Sequence, residues 1–228
     1  MKNTLIIYFF VFPILLFSQN FKPFDNITMG YTFGIGNSFF DNAGINTFLI
    51  DKGYFPMSDN NFENGANSMY AGFEIMEKNS SQYCRVLIQK NLLTGNANNK
   101  SYVNYMGLSF DVFNDFCKNE NWILASMIGV SVFDFYMSAV SANTTSDLTQ
   151  SNLQESFYKK DVFCLKPGVE IKRKFQIGSL LLGVGLNCYY QFELGNGRWG
   201  NFKGDQYDNF AASKISGFVY FINSNVYF

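Results

Sequence analysis

Residues 69–90 read MYAGFEIMEKNSSQYCRVLIQK. Ala71, Phe73 and Ile75 alternate with Gly72 and Glu74. After a short polar break, Cys84, Val86 and Ile88 alternate with Arg85 and Gln89, although Leu87 interrupts the second face. Period two is the mark of a strand whose two faces see different surroundings. The break is short enough for a two-residue turn, Asn79-Ser80, pairing Lys78 with Ser81. That register sets Ile75 against Cys84, Phe73 against Val86 and Ala71 against Ile88, all on one apolar face. It also sets Glu74 against Arg85 on the other face. A slip by one residue would mix the two faces.

Six more segments carry the same alternation. In 30–36 the apolar positions are Tyr31, Phe33 and Ile35, and in 106–112 they are Met106, Leu108, Phe110 and Val112. Ile128, Val130 and Val132 oppose Gly129 and Ser131. Phe163, Leu165, Val169 and Ile171 oppose Lys166, Gly168, Glu170 and Lys172. Leu180, Leu182, Val184 and Leu186 oppose glycines, Ser179 and Asn187. Phe218, Tyr220, Ile222, Val226 and Phe228 oppose Gly217, Asn223 and Asn225. The total is eight strands of about 9–14 residues, the length that crosses a bilayer at a tilt. A sandwich is bulky inside and polar outside. Here one face is bulky and the other is glycine, serine and a few charges, which suits a narrow barrel with its large residues facing lipid. A soluble lipocalin-like barrel and an open sandwich are the alternatives. Aromatics gather near strand ends (Phe39-Phe40, Tyr102, Trp122, Phe133, Phe135-Tyr136, Tyr189-Tyr190 and Tyr227-Phe228), as interfacial girdles do. The connections, near 40–67, 79–81, 94–101, 115–120, 140–160, 174–176 and 193–214, alternate long and short. The expected fold is all-β, an eight-stranded antiparallel up-and-down transmembrane β-barrel with four long extracellular loops.

Composition agrees. Charged residues are 15% of the 228 and aromatics 19%, against about 25% charged in ordinary soluble domains. A mean hydropathy of -0.04 excludes a polytopic helical membrane protein. The aromatic content excludes disorder, and a net charge of -1 gives no support for nucleic-acid binding. At the start, Lys2 precedes an apolar run from Leu5 to Phe17, then Ser18 and the polar Gln19-Asn20. This is the order of a cleaved export signal. Residues 1–18 are expected to be a signal peptide and 19–228 the barrel domain.

Signal, alternating strands, long loops and a last strand ending in Phe228 resemble the small bacterial outer-membrane barrels of the OmpA/OmpX-like, "porin family" type. Residues 218–228 are similar to that group's C-terminal assembly signal, with Tyr220, Ile222, Val226 and Phe228 carrying the pattern. The resemblance implies a bacterial outer-membrane location, contact with outer-membrane lipid, delivery by the barrel assembly machinery, and a protein partner at the extracellular loops as a possibility to be tested.

Enzymes on such barrels resemble one another in using a histidine, and this chain has none; no other side chain titrates near neutrality unperturbed. No catalytic residue, cofactor or metal is therefore assigned. The Asp/Asn-rich segments 59–63 and 205–208 read as solvated loops, since the first lacks the glycine turn and distant glutamate of a calcium loop. Inward charges Glu74, Arg85, Asp111, Lys166, Glu170 and Lys172 are read as a structural ionic cluster plugging the lumen, with Glu74, Arg85 and Asp111 in direct contact. The other reading is the lining of a pore. Parity places Cys84 and Cys188 on the lipid face, Cys164 inside and Cys117 in a short turn, so free thiols are expected. Within the first long loop, Ile45, Phe48 and Leu49 share one face of a short helix over 45–52, ended by Gly53. It either caps the mouth or binds a partner; the sequence does not choose. The functional expectation is a non-enzymatic surface-loop barrel for adhesion, partner binding or membrane integrity. The alternatives are a narrow passive pore for small solutes and an accessory subunit of a secretion or assembly complex.

Overall fold

The structure is a computed structural model. It describes residues 27–40, 43–57, 66–77, 80–91, 101–117, 119, 121–141, 155–195, 199–201 and 215–228. The expected signal peptide, the turn residues 78 and 79, and segments 59–63 and 205–208 lie outside them. Strands β1 (Ile27–Phe40), β2 (Ala66–Glu77), β3 (Gln82–Asn91), β4 (Tyr102–Asp115), β5 (Trp122–Val140), β6 (Glu155–Ile177), β7 (Leu180–Leu194) and β9 (Gly217–Tyr227) are accompanied by a two-residue strand β8 (Gly200–Asn201) and a helix α1 (Ala43–Asp51). Each of the eight long strands pairs antiparallel with its neighbours. β1 bonds to β9 and β5 to β6, so the sheet closes on itself. Closure removes the exposed edges of the barrel wall; above Phe163, the side of β6 away from β5 pairs only with β8, at Tyr158 and Lys159.

The register of β2 on β3 is the expected one, with Ile75 facing Cys84, Phe73 facing Val86 and Glu74 facing Arg85. The strands are staggered as well as paired. From Leu182 on β7, register partners run through Val226, Tyr31, Phe73, Val86, Phe110, Val130 and Leu165 and return to β7 at Phe192. The circuit ends ten residues above its start. A stagger of that size in eight strands corresponds to a tilt of about 40°. Every residue of this circuit points outward and is aliphatic or aromatic.

Inside and outside follow the expected parity. Leu108, Ile128, Val132, Val169 and Ile222 are all more than half exposed, while Glu74, Arg85, Lys166, Glu170 and Lys172 are fully buried. The cysteines follow it too: Cys164 is buried, Cys84 and Cys188 lie on the outer face, Cys117 is exposed in the β4–β5 turn, and all four are free.

Three expectations need correction. The lumen is not lined only by small residues and charges: Tyr70, Tyr105, Phe113, Phe133, Phe135 and Phe221 are fully buried in it. Glycines seat these rings. A methyl group on Gly34 would strike the Tyr70 ring, and one on Gly30 would lie 2.6 Å from Tyr227. The aromatic pairs at strand ends do not all belong to girdles, because adjacent residues face opposite ways. Phe39, Trp122, Tyr136, Tyr190 and Phe228 face outward, whereas Phe40, Phe133, Phe135, Tyr189 and Tyr227 are buried. Finally, β5 and β6 are longer than expected, at 19 and 23 residues. They pair from Trp122 with Arg173 to Val140 with Glu155. The outer face of this hairpin turns polar at Asp134, Lys159 and Asp161, where Lys159 bridges both carboxylates at 3.6 and 2.9 Å. The inner face of β5 stays apolar through Met137 and Ala139, and that of β6 carries the buried Tyr158 and Lys160, so the strands continue beyond the apolar belt.

Candidate functional site

The lumen and its mouth hold the features from which a function can be argued. At the centre, Arg85 on β3 donates from Nη2 to Glu74 Oε2 on β2 at 2.6 Å and to Glu170 Oε2 on β6 at 2.7 Å. Lys172, also on β6, lies 2.8 Å from each of the same two carboxylates. Tyr227 donates to Glu74 at 2.6 Å, and Tyr83 donates to Glu170 at 2.9 Å. Asn225 donates to Glu74, and Asn187 and Asn223 donate to Glu170. Two cations and two anions thus form a neutral quartet with the carboxylate oxygens supplied by neutral donors, the condition under which buried ion pairs are tolerated. The Phe113 ring lies 4.5 Å from the Arg85 guanidinium carbon, a cation–π contact shielded from water.

Asp111 is not part of that quartet. It directly opposes Arg85 across the β3–β4 pair, yet its partner is Lys166 of β6 at 2.6 Å, with Ser109 bonded to both. Stagger explains the choice. Register partners lead from Arg85 through Asp111 and Gly129 to Lys166, but the circuit climbs by roughly four residues over three strands at this stagger. The residue level with Arg85 across the lumen is therefore Glu170. Glu74, one strand further, is level with 171, between inward-facing Glu170 and Lys172. The six charges expected in one cluster divide into a quartet and a pair.

A third pair lies beyond the strand ends expected from the sequence. Lys160 on β6 lies 2.7 Å from Glu193 on β7, both buried, and Glu193 also accepts the Ile215 backbone N–H at 2.6 Å. The expected loops 140–160 and 193–214 include both residues. The even-numbered inward series of β6, continued upward from Lys166, reaches Lys160 and is the signal that points to it. Arg85, Lys160, Lys166 and Lys172 balance Glu74, Asp111, Glu170 and Glu193, so the buried charges of the described residues sum to zero.

The mouth is covered by α1. Ile45, Phe48 and Leu49 turn inward and are buried, and Phe48 packs edge-on to Tyr158 of β6 at 5.8 Å. Gly53 takes a φ of 74°, the left-handed conformation that ends a helix, and Tyr54 N–H closes it on Leu49 O at 2.8 Å. The chain is then stitched to the barrel wall: Phe55 N–H bonds Val140 O at 2.9 Å, and Ser101 donates to Phe55 O at 2.6 Å. The buried face of this helix makes it a cap. Leu49→Ala should loosen this cap by about 2–5 kcal/mol through the cavity it leaves. Hydrogen exchange at Tyr54 and Phe55 should then quicken at least about 30-fold, while Ile50→Ala, on the exposed face, should leave it unchanged.

Tyr220, Ile222, Val226 and Phe228 all lie on the outer face of β9 and its end, and at the end opposite the cap Phe228 N–H bonds Met29 O at 2.9 Å. The last residue is thereby tied to β1.

No protein-family model matches the sequence, and no curated protein matches it. Among solved structures, the chain is similar to a major outer membrane protein from Thermus thermophilus, with a TM-score of 0.50 and 11% identity over 88% of this chain and 99% of that one. The chain has the outer-membrane β-barrel fold. A weaker likeness, with a TM-score of 0.36 and 7% identity over 92% of this chain and 99% of the other, is to the outer membrane protease OmpT from Escherichia coli. Within the outer-membrane barrel seen here, the strand ends that border the short breaks 78–81, 116–121 and 178–179 lie at one end, and those that border the long breaks 41–65, 92–101, 141–154 and 195–216 lie at the other. The cap and the Lys160–Glu193 pair belong to the long-loop end, and the quartet lies closer to the short turns.

Proposed function

We propose that the protein is a non-enzymatic integral protein of the bacterial outer membrane, related to the OmpA/OmpX-like barrels, that closes its lumen and presents its long-loop end for adhesion, partner binding or membrane integrity. One observation carries this reading: the charges that a pore would offer to passing solutes are engaged with one another, and Glu74–Lys172, Arg85–Glu170 and Asp111–Lys166 join strands that are not neighbours in the sheet. Capping of the mouth by α1 supports it. Among the described residues each buried carboxylate is held by at least one cation, which favours a structural role over a proton-transfer role. The apolar outer belt supports contact with outer-membrane lipid, and the outward row on β9 supports handling by the barrel assembly machinery.

The test is electrical. Mature protein refolded in detergent, where it should migrate differently before and after boiling, is expected to give no stable single-channel currents in a planar bilayer. Steady unitary currents would replace this reading with a passive pore for small solutes. Monodisperse protein without detergent would remove the membrane reading altogether.

A further inference from the structure

The outer belt is not uniformly bulky. At the seam where the first and last strands close the barrel, Phe33 of β1 is paired with Ala71 of β2 on one side and Ser224 of β9 on the other. The other five positions of that outward ring carry branched or aromatic side chains. Phe33 therefore stands between two gaps. With Met69 above and Tyr31 and Val226 below, they form a half-open groove of about 270 Å³.

We infer that this groove holds one acyl chain of a membrane phospholipid, an inference that rests on the barrel being an integral membrane protein. The groove opens onto the apolar belt, with Ile35, Phe73 and Ile222 as outward neighbours on β1, β2 and β9. Its walls offer hydrocarbon and aromatic surface, and the hydroxyls of Ser224 and Tyr31 are the polar side-chain groups on the outward-facing residues that line it. A polypeptide or sugar there would have to leave polar groups unsatisfied in hydrocarbon. The apolar walls suit a segment of an acyl chain. Tyr31 to Ile35, the register partner of Met69, spans about 13 Å along β1. A chain seated beside Phe33 touches residues of β1, β2 and β9, so it gains more dispersion contact than a chain lying on the flat belt. It also fills the seam joined by strands from the two ends of the sequence.

The test counts lipid. The mature chain is refolded in dodecyl maltoside containing palmitoyl-oleoyl phosphatidylethanolamine, passed through lipid-free detergent, and weighed by native mass spectrometry. One phospholipid per barrel is expected. Ala71→Phe should lower the occupied fraction at least ten-fold, and the milder Ser224→Leu should lower it as well. Leu108→Phe, on the same ring but away from the seam, should not. Each variant is first checked for the boiling-dependent gel shift, which reports the barrel independently of the lipid. Loss of lipid from a barrel that keeps its shift supports the groove. A wild-type barrel that retains no lipid, equal occupancy in wild type and Ala71→Phe, or a second polypeptide in place of lipid would overturn it.

Discussion

Arg85→Met should lower the unfolding free energy of the refolded barrel by about 3–5 kcal/mol, because it leaves Glu74 and Glu170 buried with a single lysine between them. Methionine preserves much of the side-chain volume, so the loss reports charge and hydrogen bonding more than packing. The same logic gives a second arm. Arg85→Met combined with Glu170→Gln restores neutrality in the lumen and should recover a large part of the loss. Urea titration in micelles, followed by the boiling-dependent gel shift, measures both. A single variant within about 0.5 kcal/mol of wild type, the usual effect of a substitution at a solvated site, would mean that the quartet is bathed in water, and the closed-lumen reading would fall.

Ile128→Arg tests the other face. Ile128 is 57% exposed, and an arginine at such a position on a water-soluble protein changes stability by no more than about 0.5 kcal/mol. On β5 it lies midway between Trp122, which stacks on Arg173, and Asp134, which is paired with Lys159. If those two mark the membrane boundaries, the substitution places a cation near the bilayer midplane and should cost about 2–4 kcal/mol in lipid vesicles. Asn114→Arg, on the outer face of β4 near the short turns, should cost about 0–1 kcal/mol. Equal costs at the two positions would contradict the placement of the belt.

The two predictions differ in how much of their basis can be read from sequence. Ile128 facing outward follows from alternation alone, since period two survives wherever a strand separates unlike surroundings. The Glu74–Arg85 contact follows from a turn length. Glu170 as the second partner of Arg85 does not, because it depends on a stagger accumulated over the whole circumference, to which every strand pair contributes. Nearest-neighbour reasoning selects Asp111 for that reason. Lys160 and Glu193 escape differently: outward Asp134, Lys159 and Asp161 look like the end of a membrane strand, while the inward face, covered by α1, carries on. The rings in the lumen escape because a glycine on one strand is informative only with the aromatic on its neighbour, Gly34 with Tyr70 or Gly168 with Tyr189. The cap helix is legible as a helix through Ile45, Phe48, Leu49 and Gly53, but its docking surface is made by residues more distant in the chain, such as Tyr158.

The quartet also constrains the order in which the chain can assemble. Glu74 and Lys172 are separated by 98 positions, and Glu74 and Tyr227 by 153. A half-formed sheet of β1 to β4 carries Glu74, Arg85 and Asp111 but neither Glu170 nor Lys172. Its inner face cannot enter hydrocarbon without carrying incompletely compensated charge. Contacts of such long sequence separation form late. Insertion and closure are therefore expected to be coupled, since the inner face reaches neutrality only when the last third of the chain delivers the counter-charges.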